Sequence, residues 1–78
     1  MALGRVYMIQ SEYLQAKVQL KRALVRLLDL QKAEKIPYEL IVDVYYDIGS
    51  VNYRLQDYQE SVDHYREAIV LLQDNKGD

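Results

Sequence analysis

The chain has 78 residues, a formal net charge of −2, half of its residues hydrophobic and no cysteine. The hydrophobic share excludes wholesale disorder, and the missing cysteine excludes disulfides and thiolate metal sites. This length allows at most one small domain, whose thin core calls for support from self-association or from neighbouring elements.

Taken from the start, Met1 to Ile9 carries the spacing Leu3-Gly4-x-x-Tyr7. It reads as the second half of a helix whose beginning is absent, so the chain is expected to be a fragment. Gln10-Ser11 is the expected first turn, with Ser11 as N-cap of the next helix. That helix is expected from about Glu12 to Lys32. Tyr13, Ala16, Leu20, Ala23, Leu24, Leu27 and Leu28 recur at intervals of three and four, a helical stripe. Val18, Val25 and Leu30 widen it, which implies cover on more than one side. Lys17, Lys21, Arg22 and Arg26 form a basic group. We read it as a solvated face with Asp29 partnering Arg26, in preference to a phosphate site. No aromatic or glycine-rich element accompanies it.

A break is expected at about 34 to 36, before Pro37, which suits the first turn of a new helix. Helix three then runs from about Tyr38 to Arg54. Tyr45, Ile48, Gly49 and Asn52 share one face; Ile41, Val44 and Val51 turn to neighbouring helices. Tyr46, Ser50, Tyr53 and Arg54 share another face, with Asp47 at its margin. Leu55-Gln56-Asp57 is the expected tight turn. Asp57 with Glu60 spells an Asp version of the capping box. Helix four continues to about Gln73 on a stripe of Val62, Tyr65, Ala68, Ile69 and Leu72, with Val70 and Leu71 off it. Residues 74–78 read as a linker.

Small residues beside bulky ones resemble the tetratricopeptide repeat. Tyr45-x-x-Ile48-Gly49-x-x-Asn52, then Ser61-x-x-x-Tyr65 and Ala68, match its pattern in one copy. Leu3-Gly4-x-x-Tyr7, then Ala16, Leu20 and Ala23, form a second copy at a constant offset of 45 positions. The family period is about 34, so the extra residues fall around Asp29 to Pro37. Such long-period repeats are similar to those of kinesin light chains and of bacterial signalling regulators. Asn52 departs from the family's usual Tyr, Gln56 from the Gly common in the turn, and Gln73 from the closing Pro.

The resemblance implies an all-α fold of antiparallel hairpins, an α-solenoid of about four helices with the first one partial. Hairpin 1 would span about 2–34 and hairpin 2 about 37–73, in one domain over 1–78. It also implies a protein-interaction module without enzymatic activity, binding a peptide or partner helix in a concave groove. The groove residues would be Tyr46, Asp47, Ser50, Tyr53 and Arg54, with Arg5, Met8 and Ile9 carried over from the first copy. The paired Lys and Asn residues of the family's chaperone-binding clamps are missing at these places. The alternative is self-association into a homo-oligomer through uncapped ends. Residues 1–40 carry a balance of +3 and residues 41–78 of −5, which suits head-to-tail contact.

The residues offer little other chemistry. His64 is the single histidine and lacks ligand spacing around it, so no metal is expected. Asp43 and Asp47 sit four apart without a matching Glu-x-x-His. Ser11, Ser50 and Ser61 have no activating motif, and no glycine-rich phosphate loop occurs, so no cofactor is expected. The acidic balance argues against nucleic acid. No apolar run approaches the roughly 18 residues that span a bilayer, and MALGRVYM lacks a signal-peptide core. A cytoplasmic location without membrane contact is the default expectation.

Overall fold

The computed structural model describes the backbone of residues 2–76 and the side chains of residues 9–75. Among the described residues there are three helices and no strand: α1 (Ala2–Ala33), α2 (Tyr38–Arg54) and α3 (Tyr58–Lys76). The fold is all-α. α2 lies between the other two and packs on both, whereas α1 and α3 make no close backbone approach to each other. The Cα envelope measures 52 × 23 × 14 Å, and only the middle helix packs on both of the others. Accordingly, α2 holds five buried residues, Ile41, Val42, Ile48, Gly49 and Asn52, and α3 contributes Ser61 and Ala68.

α1 corrects the expected first hairpin. Residues 2–33 form one unbroken helix through Gln10 and Ser11, so Ser11 is helix interior and not an N-cap. Among the described residues hairpin 1 is not formed, and the helices number three. The physical reason is that no Gly or Pro stands between Arg5 and Ile36 to interrupt the hydrogen-bond ladder. The expected pairing of Leu3, Gly4 and Tyr7 with Ala16, Leu20 and Ala23 therefore falls on one helix; the side chains of the first three lie outside the described residues. Ala16, Leu20, Ala23, Leu24, Leu27 and Leu28 are half-buried on the helix that packs against α2.

The chain leaves α1 at Ala33 and re-enters helix after Pro37, whose φ of −59° and ψ of 130° set the extended approach. Between α2 and α3 the turn is a Schellman closure. Asp57 N–H donates to the Asn52 carbonyl at 2.8 Å and Gln56 N–H to Tyr53 at 3.0 Å. Gln56 takes the left-handed conformation this requires, with φ of 64°. Glycine would adopt it without the steric cost.

Small residues let α2 and α3 cross closely. A Cβ built on Gly49 would stand 2.9 Å from two ring carbons of Tyr65. Ser61 Oγ donates to the Gly49 carbonyl at 2.8 Å, inside the contact. Ala68 is 2 % exposed farther along α3. The expected capping box is not made. Among the described residues Asp57 and Glu60 turn instead to α1, where Lys17 Nζ lies 3.0 Å from Glu60 and 3.7 Å from Asp57, and Lys21 Nζ 3.7 Å from Glu60. These pairs join the first turn of α3 to α1 across the end of α2. The expected Arg26–Asp29 pair is not among the ion pairs of the described residues.

Three outcomes follow for urea unfolding. Gly49→Ala lowers stability by about 1–3 kcal/mol, because the ring it strikes is held on both sides. Gln56→Gly raises it by about 0.5–1 kcal/mol, as the left-handed strain goes. The third concerns pH. The hydrogen bond from Lys17 holds the Glu60 carboxyl below its ordinary value of 4.5, aided by the charges of Lys17, Lys21 and His64 and opposed by desolvation. A carboxyl depressed in the fold stabilises it above that ordinary value, and the contribution is lost as pH falls through 4.5 and below. Wild type should exceed Lys17→Ala by about 0.5–1 kcal/mol at neutral pH, and the gap should close on acidification.

Candidate functional site

α2 presents one face that neither neighbour covers. Tyr46 and Tyr53 are 58 % and 57 % exposed on it. They stand seven residues apart, about 10 Å along the axis. Each ring is braced by a tyrosine of α3. Tyr46 meets Tyr65 edge to face with centroids 5.0 Å apart, and Tyr53 meets Tyr58 in the same manner at 5.5 Å. Such pairs are favourable beyond their buried area, and they fix the direction of the exposed rings. Ser50, between them, shares a hydrogen bond of 2.9 Å with the Tyr65 hydroxyl. Part of its capacity is thus spent on the α2–α3 contact.

Asp47 and Arg54 are exposed farther round the helix, and neither enters an ion pair among the described residues. The face therefore offers two braced aromatic rings, the Ser50 hydroxyl and the charges of Asp43, Asp47 and Arg54. This is the chemistry of a polypeptide contact, flat apolar area with a few polar anchors. The separation of the rings matches about three residues of extended chain or two turns of helix.

Arg5, Met8 and Ile9 lie on α1, whose unbroken helix carries Ile9 past the turn at 55–57. Lys17 already stands level with that turn through its pairs to α3. Ile9 is eight residues farther out, about 12 Å, and exposed like Gln10, Ser11 and Glu12. The Arg5 and Met8 side chains lie outside the described residues. Among the described residues no second hairpin stands beside α2 and α3.

Elsewhere, Tyr45 and Ile48 flank Gly49 at the helix crossing; Ile48 is fully buried and Tyr45 half-buried. Burial, and then the charge of Glu67, push the Tyr45 hydroxyl up from its ordinary value of 10.0. His64 is half-buried rather than on the open helix surface. Its Nδ1 lies 2.8 Å from the Glu60 carbonyl and 3.5 Å from Asn52 Nδ2. A carbonyl only accepts, so Nδ1 carries the proton and cannot accept from an amide. Asn52 is 0 % exposed and its Oδ1 has no partner. Turned over, the amide would place Oδ1 3.5 Å from the nitrogen whose one proton the Glu60 carbonyl already accepts, and would leave Nδ2 in the partnerless place. Among the described residues no three His, Asp or Glu side chains gather as a metal-binding group. No described helix is long and apolar enough to cross a membrane.

One surface went unassigned in the sequence reading. Val62, Ile69 and Leu72 of α3, expected in a packed stripe, are between 40 % and 52 % exposed, and Tyr58 on the same side is 55 % exposed. Their intervals of four and three were legible. The spacing shows which residues share a face and leaves open what covers it.

Comparison with known proteins adds one match. Residues 42–75, which span α2, the turn and nearly all of α3, fit the family model described as tetratricopeptide repeat. No curated protein and no solved structure matches the chain.

Proposed function

The chain carries a tetratricopeptide repeat at residues 42–75, and from that premise we propose that its function is to hold a peptide or partner helix against the exposed face of α2. Repeats of this family generally serve as protein–protein interaction modules. One observation carries the assignment to this face: two solvent-facing rings, Tyr46 and Tyr53, each immobilised by a second tyrosine. Rigid aromatic area binds with little loss of side-chain freedom. In this reading Tyr46 and Tyr53 supply flat contact, Arg54 takes an acidic or C-terminal carboxylate, and Asp47 and Ser50 hydrogen-bond the ligand backbone. No catalytic role is assigned.

A second reading, self-association, is favoured by a different observation. The apolar row on α3 stands open although its spacing is that of a helix-packing seam.

Selection of a displayed peptide library on the full chain tests the first reading. Peptides that bind should lose affinity by about tenfold or more on Tyr53→Ala. Acidic ones should weaken on Arg54→Ala, while Val70→Ala leaves binding unchanged. Selected peptides indifferent to both Tyr53→Ala and Arg54→Ala would remove the assignment.

A further inference from the structure

We infer that the ligand of the open α2 face is a basic peptide, extended and parallel to α2, with cationic residues over Glu39, Asp43 and Asp47 and its C-terminal carboxylate at Arg54. The inference rests on the peptide-binding reading and names the charge, spacing and direction of what is bound.

The braced rings of Tyr46 and Tyr53 mark the face as a contact surface. The charges beside them give the sign of the ligand. At 100° per residue, the side chains from Tyr53 round through Tyr46, Glu39, Ser50, Asp43 and Arg54 to Asp47 fall within about 120° of the helix. All are exposed except Ser50, which is half-buried. Three carboxylates thus stand against one guanidinium. Among the described residues none of the four enters an ion pair. Lys35 before α2, Arg26 on α1 and Arg66 on α3 are exposed and enter no ion pair with them either. A ligand that complements this face carries positive charge. A Lys or Arg laid on a tyrosine ring gains the attraction of a cation for the ring face as well.

The make-up of the face selects an extended chain. A partner helix needs an aliphatic seam to pack on, and between the tyrosines and the charges there is none. Glu39, Asp43 and Asp47 recur every four residues, about 6 Å apart along the axis. Alternate residues of an extended chain project to one side at intervals of about 6.7 Å. A Lys or Arg at every second position therefore keeps step with the carboxylates.

Direction follows from where the charges stand. The carboxylates lie between residues 39 and 47, and Arg54 ends the helix. Asp47 and Arg54 are seven residues apart, about 10 Å, or three residues of extended chain. With the terminal carboxylate at Arg54, the residues three, five and seven before the last come level with Asp47, Asp43 and Glu39. Run the other way, the peptide would bring its carboxylate toward three like charges. Asp47, set on the ligand backbone in the broader reading, serves a cation here.

Fluorescence anisotropy of labelled peptides with the full chain, at low and high salt, gives the test, with circular dichroism to check that each variant is folded. The first probe carries Lys at the third, fifth and seventh places before its last residue and is otherwise uncharged. A second has Glu at those places, and a third is the Lys probe with an amidated C-terminus. The Lys probe should bind, less tightly at high salt, and the Glu probe about tenfold more weakly or worse. Asp43→Asn with Asp47→Asn should weaken the Lys probe by about tenfold and remove most of its salt dependence. Tyr53→Ala should weaken it too. Amidation should weaken binding to the wild type and make no difference to Arg54→Ala. A Glu probe that binds as well as the Lys probe overturns the inference. So does a Lys probe indifferent to Tyr53→Ala, which is charge attraction alone. Library-selected peptides that need Tyr53 yet ignore Asp43→Asn with Asp47→Asn overturn the inference and leave the face reading standing, as does a Lys probe that fails to bind beside them. Amidation without effect on the wild type overturns the direction. Selected peptides indifferent to both Tyr53→Ala and Arg54→Ala remove the face reading and the inference together.

Discussion

The close crossing of α2 and α3 at Gly49 is the contact on which the rest depends. A missing side chain there lets the Tyr65 ring lie across the α2 backbone, and Ser61 fills the remaining gap while donating to the Gly49 carbonyl. Once Tyr65 is seated, its edge supports Tyr46 and its hydroxyl engages Ser50. The open face of α2 is thus shaped from beneath by the residue that closes the hairpin. Ser61 occupies a place where Ala would pack equally well; the hydroxyl adds a buried hydrogen bond between the helices, worth on the order of 1 kcal/mol net. Packing and presentation come from one cluster, and a change in the crossing must reach the exposed tyrosines.

The hairpin from Tyr38 onward was readable because several local signals agreed. Pro37 marked the start of α2, the 55–57 turn marked its end, and small residues at Gly49, Ser61 and Ala68 alternated with bulky ones. The first copy of the pattern carried the same small residues, yet Gln10 and Ser11 continue the helix. Turn residues did not separate the cases, since Gln56 is no better suited to a left-handed position than Gln10. At Gln56 the chain closes a turn and packs back along α2, whereas around Gln10 it keeps the α-helical ladder that no Gly or Pro interrupts. Repeat spacing therefore located the face of α1 that meets α2, through Ala16, Leu20 and Ala23, without settling the path before it. The exposed row of Val62, Ile69 and Leu72 was misread for a related reason: intervals of three and four mark a face, and only a neighbour decides whether it is core.

Asn52 shows where residues 42–75 depart from the pattern of the family model they match at some expense. A fully buried amide stands where the pattern has Tyr, its nitrogen 3.5 Å from His64 Nδ1 and its oxygen without a partner. The imidazole in turn is tied to the Glu60 carbonyl, and the Glu60 side chain is held by Lys17 of α1. A line of polar contacts thus runs from the middle of α2 through the first turns of α3 to α1. Apolar residues at these places would pack without unsatisfied groups. A polar line restricts the three helices to one register, since a slip of either neighbour strands a buried amide or a shielded carboxylate.

The two proposed surfaces are adjacent rather than separate, and this bears on how they would work together. Tyr58 belongs to the row on α3 and braces Tyr53; Tyr65 belongs to the same row and braces Tyr46. A helix laid along that row would border the open face of α2 and deepen it from an exposed ridge into a groove with two walls. Peptide held by Tyr46 and Tyr53 would then contact both copies. By linkage, whatever binds the groove more tightly in the assembled form must favour assembly by the same factor.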